Sequence, residues 1–197
     1  AGYATAVTGK WQLGTEDDSP LHFGFDEAFL WRHKLKSSVK GFNGDKRDSR
    51  FASPWIQHTR REDGKIESDV KQYPYLYGPD LISDFACDFI EANKEKPFFL
   101  YYPMALVHCP FDYTPDSEGW EENNLGSLTY KGNPEYFADM VAYTDKIVGK
   151  IIDQLEASGV RENTLIIFTG DNGTDKPIVS MMGDCLLYTS PSPRDLP

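Results

Sequence analysis

Apolar residues recur at helical spacing in two long stretches of the chain. In PDLISDFACDFIEANKEK, Leu81, Ile82, Phe85, Ala86, Phe89 and Ile90 share one stripe. Acids near its start and lysines near its end suit the helix dipole, and Pro97 stops it. In NPEYFADMVAYTDKIVGKIIDQLEASG the stripe comprises Phe137, Met140, Val141, Thr144, Ile147, Val148, Ile151, Ile152 and Leu155. Asn133 is placed to cap it, Pro134 takes its first position, and Gly159 ends it. Three shorter runs have no polar face: YATAVTG (3–9), PFFLYYPMA (97–105) and TLIIFTG (164–170). They read as buried strands. Between residues 15 and 78 no period is sustained; loops and a hairpin are expected there, with KSSVKGFNGDKRDSR as the most mobile part.

Strand, helix, strand, long helix, strand is the order of an α/β fold with a mostly parallel sheet flanked by helices. In such folds ligands bind beyond the carboxyl ends of the strands. Lys10, His108 and the pair Asp171–Asn172 each lie just after a predicted strand, so three distant segments are expected to meet on one rim.

Composition narrows the partners. A net charge of -11 leaves no basic surplus to neutralise phosphates, which argues against a nucleic-acid partner. No apolar stretch is long enough to cross a bilayer, and no feature assigns an oligomeric state. The three cysteines, Cys87, Cys109 and Cys185, have no metal-ligand spacing. The chain opens within a pattern and without an initiator Met, as a fragment would. CLLYTSPSPRD (185–195) resembles the translation of a sequencing-library adapter. The expected division is therefore a partial catalytic domain over 1–184 and a non-native tail over 185–197.

Taken singly, the candidate residues are weak signals. DNG is a turn signal more often than a metal site, although Asp171 and Asn172 offer the hard oxygens that Ca²⁺ or Mg²⁺ prefers. A lone loop histidine such as His108 is more often structural. Lys10 is as readily an ordinary exposed lysine as an anion ligand. Trp11, Trp31 and Trp55 are the right chemistry for stacking on sugars, but burial is the simpler reading of each.

Their order carries more. AGYATAVTGKWQLG resembles the second signature of the sulfatases, formylglycine-dependent enzymes of the alkaline phosphatase superfamily. HFGFDEAF, PFFLYYPMALVHCPF and TLIIFTGDNGTD resemble later segments of that family, in its order, across residues 1–184. The resemblance implies an alkaline phosphatase/sulfatase-like fold, incomplete here, and hydrolysis of sulfate esters, with a sulfated small molecule or glycan as substrate. It implies that Asp171 and Asn172 bind a divalent cation, Ca²⁺ or alternatively Mg²⁺. Lys10 would contact sulfate oxygens, and His108 would face the ester oxygen as hydrogen-bond donor or general acid. Gln12 stands where most members have His; it is expected to bind substrate but has no proton to exchange. The family's nucleophile, a formylglycine made within C/S-x-P-x-R, has no counterpart in these 197 residues, so the isolated chain is expected to be inactive. Export to the periplasm or beyond the cell follows from the same resemblance. The competing readings are a phosphatase, phosphodiesterase or phosphonate hydrolase of the same superfamily, and a glycan-binding relative without catalysis.

Overall fold

A computed structural model describes residues 2–14, 16–32, 50–123, 126–127 and 129–173, together with Ile178. Most of KSSVKGFNGDKRDSR and the adapter-like tail lie outside the described residues.

The chain builds β1 (Ala4–Gly9), α1 (Ser19–His22), β2 (Glu27–Trp31), β3 (Trp55–Glu62), β4 (Lys65–Gln72), α2 (Gly78–Asn93), β5 (Phe98–Tyr101) and α3 (Phe137–Ala157). One five-stranded sheet has the order β4-β3-β2-β1-β5. β1 runs parallel to both β2 and β5, whereas β2–β3 and β3–β4 are antiparallel. The class is α/β as expected, with a mixed sheet. Its antiparallel half is the hairpin anticipated in the aperiodic region, closed at Asp63–Gly64, where both residues have positive φ (49° and 76°).

Alternation along the strands sends the two sets of side chains to opposite faces. Val7, Ala28 and Leu30 cluster with Trp11, Leu21 and Phe25 on one face. Phe29, Trp31 and Ile56 meet Ile82, Leu81 and Phe85 of α2 on the other. Thr8, fully buried between β1, β2 and α2, donates through Oγ1 to the Phe29 carbonyl at 3.0 Å.

The third helix packs elsewhere. Met140, Tyr143 and Ile147 join Ala105, Leu106, Cys109 and Phe111 of the segment that follows β5. The expected stripe is broader than the buried one, since Val141 stays 45% exposed while Tyr143 takes an inner position. Its hydroxyl donates to Asp80 Oδ1 on α2 at 2.8 Å. Asn133 caps the entry by accepting from Glu135 N. Past the last turn, Gly159 (φ 72°) lets its own N–H reach the Glu156 carbonyl and the Val160 N–H reach Leu155.

Two strand expectations need correction: β5 forms, but as an edge strand without a buried residue, and the last predicted strand does not form. Residues 164–170 pair with no strand among the described residues, and Leu165, Ile167 and Phe168 are 85%, 78% and 71% exposed. A run this apolar gains from a strand conformation only when both faces are covered. Beyond β5, where Phe99 and Tyr101 are themselves exposed, no described element supplies that cover.

The Asp80 contact makes the α2–α3 junction sensitive to rising pH. Burial raises the Asp80 pKa above 3.8, opposed by the Tyr143 hydrogen bond and by Lys150. A carboxyl whose pKa is raised on folding binds its proton more tightly in the native state. Its contribution is therefore present at low pH and lost as pH climbs through the folded value. Asp80→Asn is expected to remove that loss. Denaturation of both proteins between pH 3 and 7 should give a stability difference that moves in the variant's favour as pH rises; a pH-independent difference would contradict it.

Candidate functional site

The parallel half of the sheet brings the ends of β1 and β5 side by side, since Val7 pairs with Tyr101. Immediately beyond, the two backbones come into contact. Lys10 N donates to the Pro103 carbonyl at 2.8 Å. At Gly9 (φ 120°) an added Cβ would lie 2.2 Å from that same oxygen. Only glycine permits both the backbone angle and the approach. Lys10 is thus fastened to the loop that carries His108.

Each side of this joint is anchored in the core. On the Lys10 side, Trp11 is 8% exposed and its indole N–H donates to Ser19 Oγ at 3.2 Å. The neighbouring loop is tied down by Asp17, whose carbonyl accepts from Gln57 Nε2 at 2.6 Å and Thr59 Oγ1 at 2.9 Å. Gln12, one residue past the buried tryptophan, is exposed. On the other side, His108 is exposed between buried neighbours: Ala105, Leu106, Cys109 and Phe111 face the α3 core. Its backbone N–H closes a turn onto the Ala105 carbonyl at 3.0 Å. The buried carboxylate of Asp112 then staples the continuing loop, accepting from Tyr113 N at 2.9 Å and Ser127 N at 2.5 Å. Burial pushes its pKa up, and those two N–H groups oppose the shift.

Of the three segments expected to meet at the rim, the backbone joins two, those that carry Lys10 (with Gln12 beyond it) and His108. Asp171 and Asn172 are exposed at the end of the unpaired 164–170 segment, and no described contact links them to Lys10 or His108. Their oxygens are chemically suited to Ca²⁺ or Mg²⁺, but two donors fall short of the six to eight that Ca²⁺ takes. Among the described residues no group of three or more His, Cys, Asp or Glu forms a metal cluster.

Two readings of single residues are settled by burial. Trp11 and Trp31 (3% exposed) belong to the core. Cys87 sits against α3, with Sγ 4.0 Å from the Lys150 carbonyl, and burial raises its pKa, which disfavours a nucleophilic thiolate. The described residues also form a cavity of about 450 Å³, but it is lined by Gly2, Thr5, Asp26 and Lys96 at the amino ends of β1 and β5. That is the opposite end from Lys10, so the cavity and the candidate residues disagree; the carboxyl ends of the strands, where ligands of such folds bind, are the better guide.

Sequence reasoning missed Arg50. Its NH1 lies 3.0 Å from His108 Nδ1, and its guanidinium carbon lies 4.3 Å from the centroid of the Trp31 ring. The only available signal was a cation in an aperiodic stretch, 58 residues from its partner.

Comparisons with known proteins bear on the family of the chain. Residues 1–176 match a family model described as Sulfatase. The chain is 27% identical over 198 residues to an arylsulfatase of Hemicentrotus pulcherrimus, covering 95% of this chain and 32% of that protein. It is 28% identical over 184 residues to the N-acetylgalactosamine-6-sulfatase of Mus musculus, covering 88% and 31%. It is 34% identical over 219 residues to an N-acetylgalactosamine-6-O-sulfatase of Bacteroides thetaiotaomicron, covering 88% and 41%. Among solved structures, Ps i-CgsB in complex with k-i-k-neocarrahexaose superposes with a TM-score of 0.57 at 25% identity, covering 87% of this chain and 38% of that one. The chain spans about a third of the length of the first two curated relatives.

The Gly9 joint generates a direct prediction. Gly9→Ala is expected to cost about 1–3 kcal/mol for the backbone conformation alone, with more from the collision at Pro103. Urea denaturation should register a lowered midpoint, and amide hydrogen exchange at Lys10 should accelerate. Unchanged stability and exchange would mean that the joint does not form.

Proposed function

The chain belongs to the sulfatase family, and from that premise we propose that it supplies part of the catalytic domain of a sulfuric ester hydrolase acting on a sulfated carbohydrate. The observation that carries this reading is the meeting of Lys10 and the His108 loop at one rim through the Lys10–Pro103 hydrogen bond. The carbohydrate class is supported by the names of the N-acetylgalactosamine-6-sulfatases and by the oligosaccharide complex among the structural neighbours.

A sulfate ester resists attack because its oxygens repel an incoming nucleophile. Lys10 offsets that repulsion as a compact positive charge with three donors, directed at a non-bridging oxygen. Gln12 adds a neutral donor to the same group through its carboxamide. His108 faces the bridging oxygen and stabilises the negative charge that develops there as the S–O bond breaks. Asp171 and Asn172 contribute two of the oxygens that hold a divalent cation, Ca²⁺ or Mg²⁺. That cation, when bound, neutralises sulfate charge and acts as a Lewis acid.

The nucleophile and the remaining metal ligands belong to other parts of a longer protein in this reading, so the isolated chain is expected to release no sulfate. Export to the periplasm or beyond the cell accords with a polymeric glycan as substrate.

The test uses the longer protein that contains this chain. It is expected to release sulfate from an aryl sulfate and from 6-O-sulfated N-acetylgalactosamine, and to lose turnover on metal chelation. Lys10→Ala should lower kcat/KM roughly 100-fold or more, the usual cost of deleting one charge-stabilising donor. Preference for phosphate esters over sulfate esters would instead favour a phosphatase or phosphodiesterase. Glycan binding without any hydrolysis would favour the non-catalytic reading.

A further inference from the structure

Arg50 is held from two directions. Its carbonyl lies against the start of α2, where a Cβ on Gly78 would come within 2.2 Å of it. Next to it, Gly78 N donates to the Phe51 carbonyl at 2.6 Å. Phe51 and Ala52 are 2% and 3% exposed, so the backbone that presents the arginine is fixed in the core. The guanidinium lies over Trp31, the last residue of β2 and itself 3% exposed. Such stacking limits a side chain that would otherwise sample many rotamers.

Three groups approach the same ring nitrogen of His108, the Cys109 Sγ being the most distant at 3.5 Å, and the two nearer ones make opposite demands. Arg50 NH1 lies 3.0 Å from Nδ1, and the Cys109 carbonyl oxygen lies 2.7 Å from it. Guanidinium nitrogens only donate, so the Arg50 contact requires a lone pair on Nδ1. A carbonyl only accepts, so the Cys109 contact requires a proton there. Both cannot be satisfied by one neutral imidazole. The Arg50 bond is charge-assisted, roughly twice as strong as a neutral one, and its donor is already immobilised on Trp31.

We propose that Arg50 is a positioning residue that fixes His108 as the Nε2–H tautomer, with the Nδ1 lone pair turned to the guanidinium. The proton then sits on the ring edge away from Arg50. This deepens, and rests on, the reading of His108 as the group that faces the ester oxygen. In that role the imidazole must present a donor, and the tautomer decides which nitrogen provides it.

The test is a long-range ¹H–¹⁵N correlation spectrum of the chain labelled at histidine, with His108 assigned by loss of its signals in His108→Gln. The wild type is expected to show an unprotonated Nδ1 and a protonated Nε2 in the neutral ring. Arg50→Met keeps an apolar side chain over Trp31 but removes every donor, so it should shift the population toward the Nδ1–H form. Arg50→Lys, which retains a charged donor, should restore much of the Nε2–H signal. Protonated Nδ1 in the wild type, or identical tautomer populations in wild type and Arg50→Met, would overturn the proposal. If Arg50→Met fails to fold, the wild-type spectrum alone decides. The spectrum needs no substrate. A wrong tautomer rejects the role of Arg50 and leaves ester hydrolysis standing, whereas absent sulfate release by the longer protein with the Nε2–H tautomer intact rejects the hydrolase and not the contact.

Discussion

At the carboxyl ends of β1 and β5 two backbones meet with no room for a side chain between them. Gly9 fits because it lacks a Cβ and takes the positive φ, and Lys10 N closes the contact on the Pro103 carbonyl. The candidate site depends on this joint because its two anchored flanks have separate cores. Trp11 belongs to the cluster beneath α1, and the residues around His108 belong to the cluster beneath α3. Without the joint, a lysine and a histidine nearly a hundred positions apart would be carried by loops answering to different packing. With it, an error in one loop is felt by the other.

The energetics around the rim divide the same way. Apolar burial holds the loops in place, and at about 25 cal/mol per Å² it is the larger contribution. Partly buried polar contacts decide where the loops sit. Asp17 takes two donors from β3, Asp112 takes two backbone N–H groups, and Asp80 meets Tyr143 across the helices. Each leaves a costly unsatisfied group if broken, so each penalises misplacement more than it adds stability. Exposed ion pairs such as Lys146–Asp116 contribute little by comparison.

Much of this was legible in the residues, for reasons that differ by element. The two long helices announce themselves by period, and Asn133, Pro134 and Gly159 mark the ends of the second. β1 and β5 are read from apolar runs bounded by Gly and Pro. The hairpin β3–β4 is harder: WIQHTRRE and KIESDVKQ are too polar to register as strands, although the Asp63–Gly64 turn between them is a specific signal. Tyr143 falls outside the predicted stripe, since a tyrosine carries no strong apolar signal until its hydroxyl has an acceptor such as Asp80. The segment 164–170 has the strongest strand composition in the chain and is nevertheless exposed, because composition states what a run needs and tertiary context decides whether it is there. Family order made Lys10, Gln12, His108, Asp171 and Asn172 candidates. Arg50 was invisible because its meaning lies in contacts across 19 and 58 residues to Trp31 and His108.

The central claim is that Lys10 and His108 serve one anion. Titrating the labelled chain with inorganic sulfate, while following Lys10, Gln12 and His108 by NMR, tests it most directly. The account predicts that all three respond along a single saturation curve, with one dissociation constant. Separate curves for Lys10 and His108, or a response at one and none at the other, would contradict it.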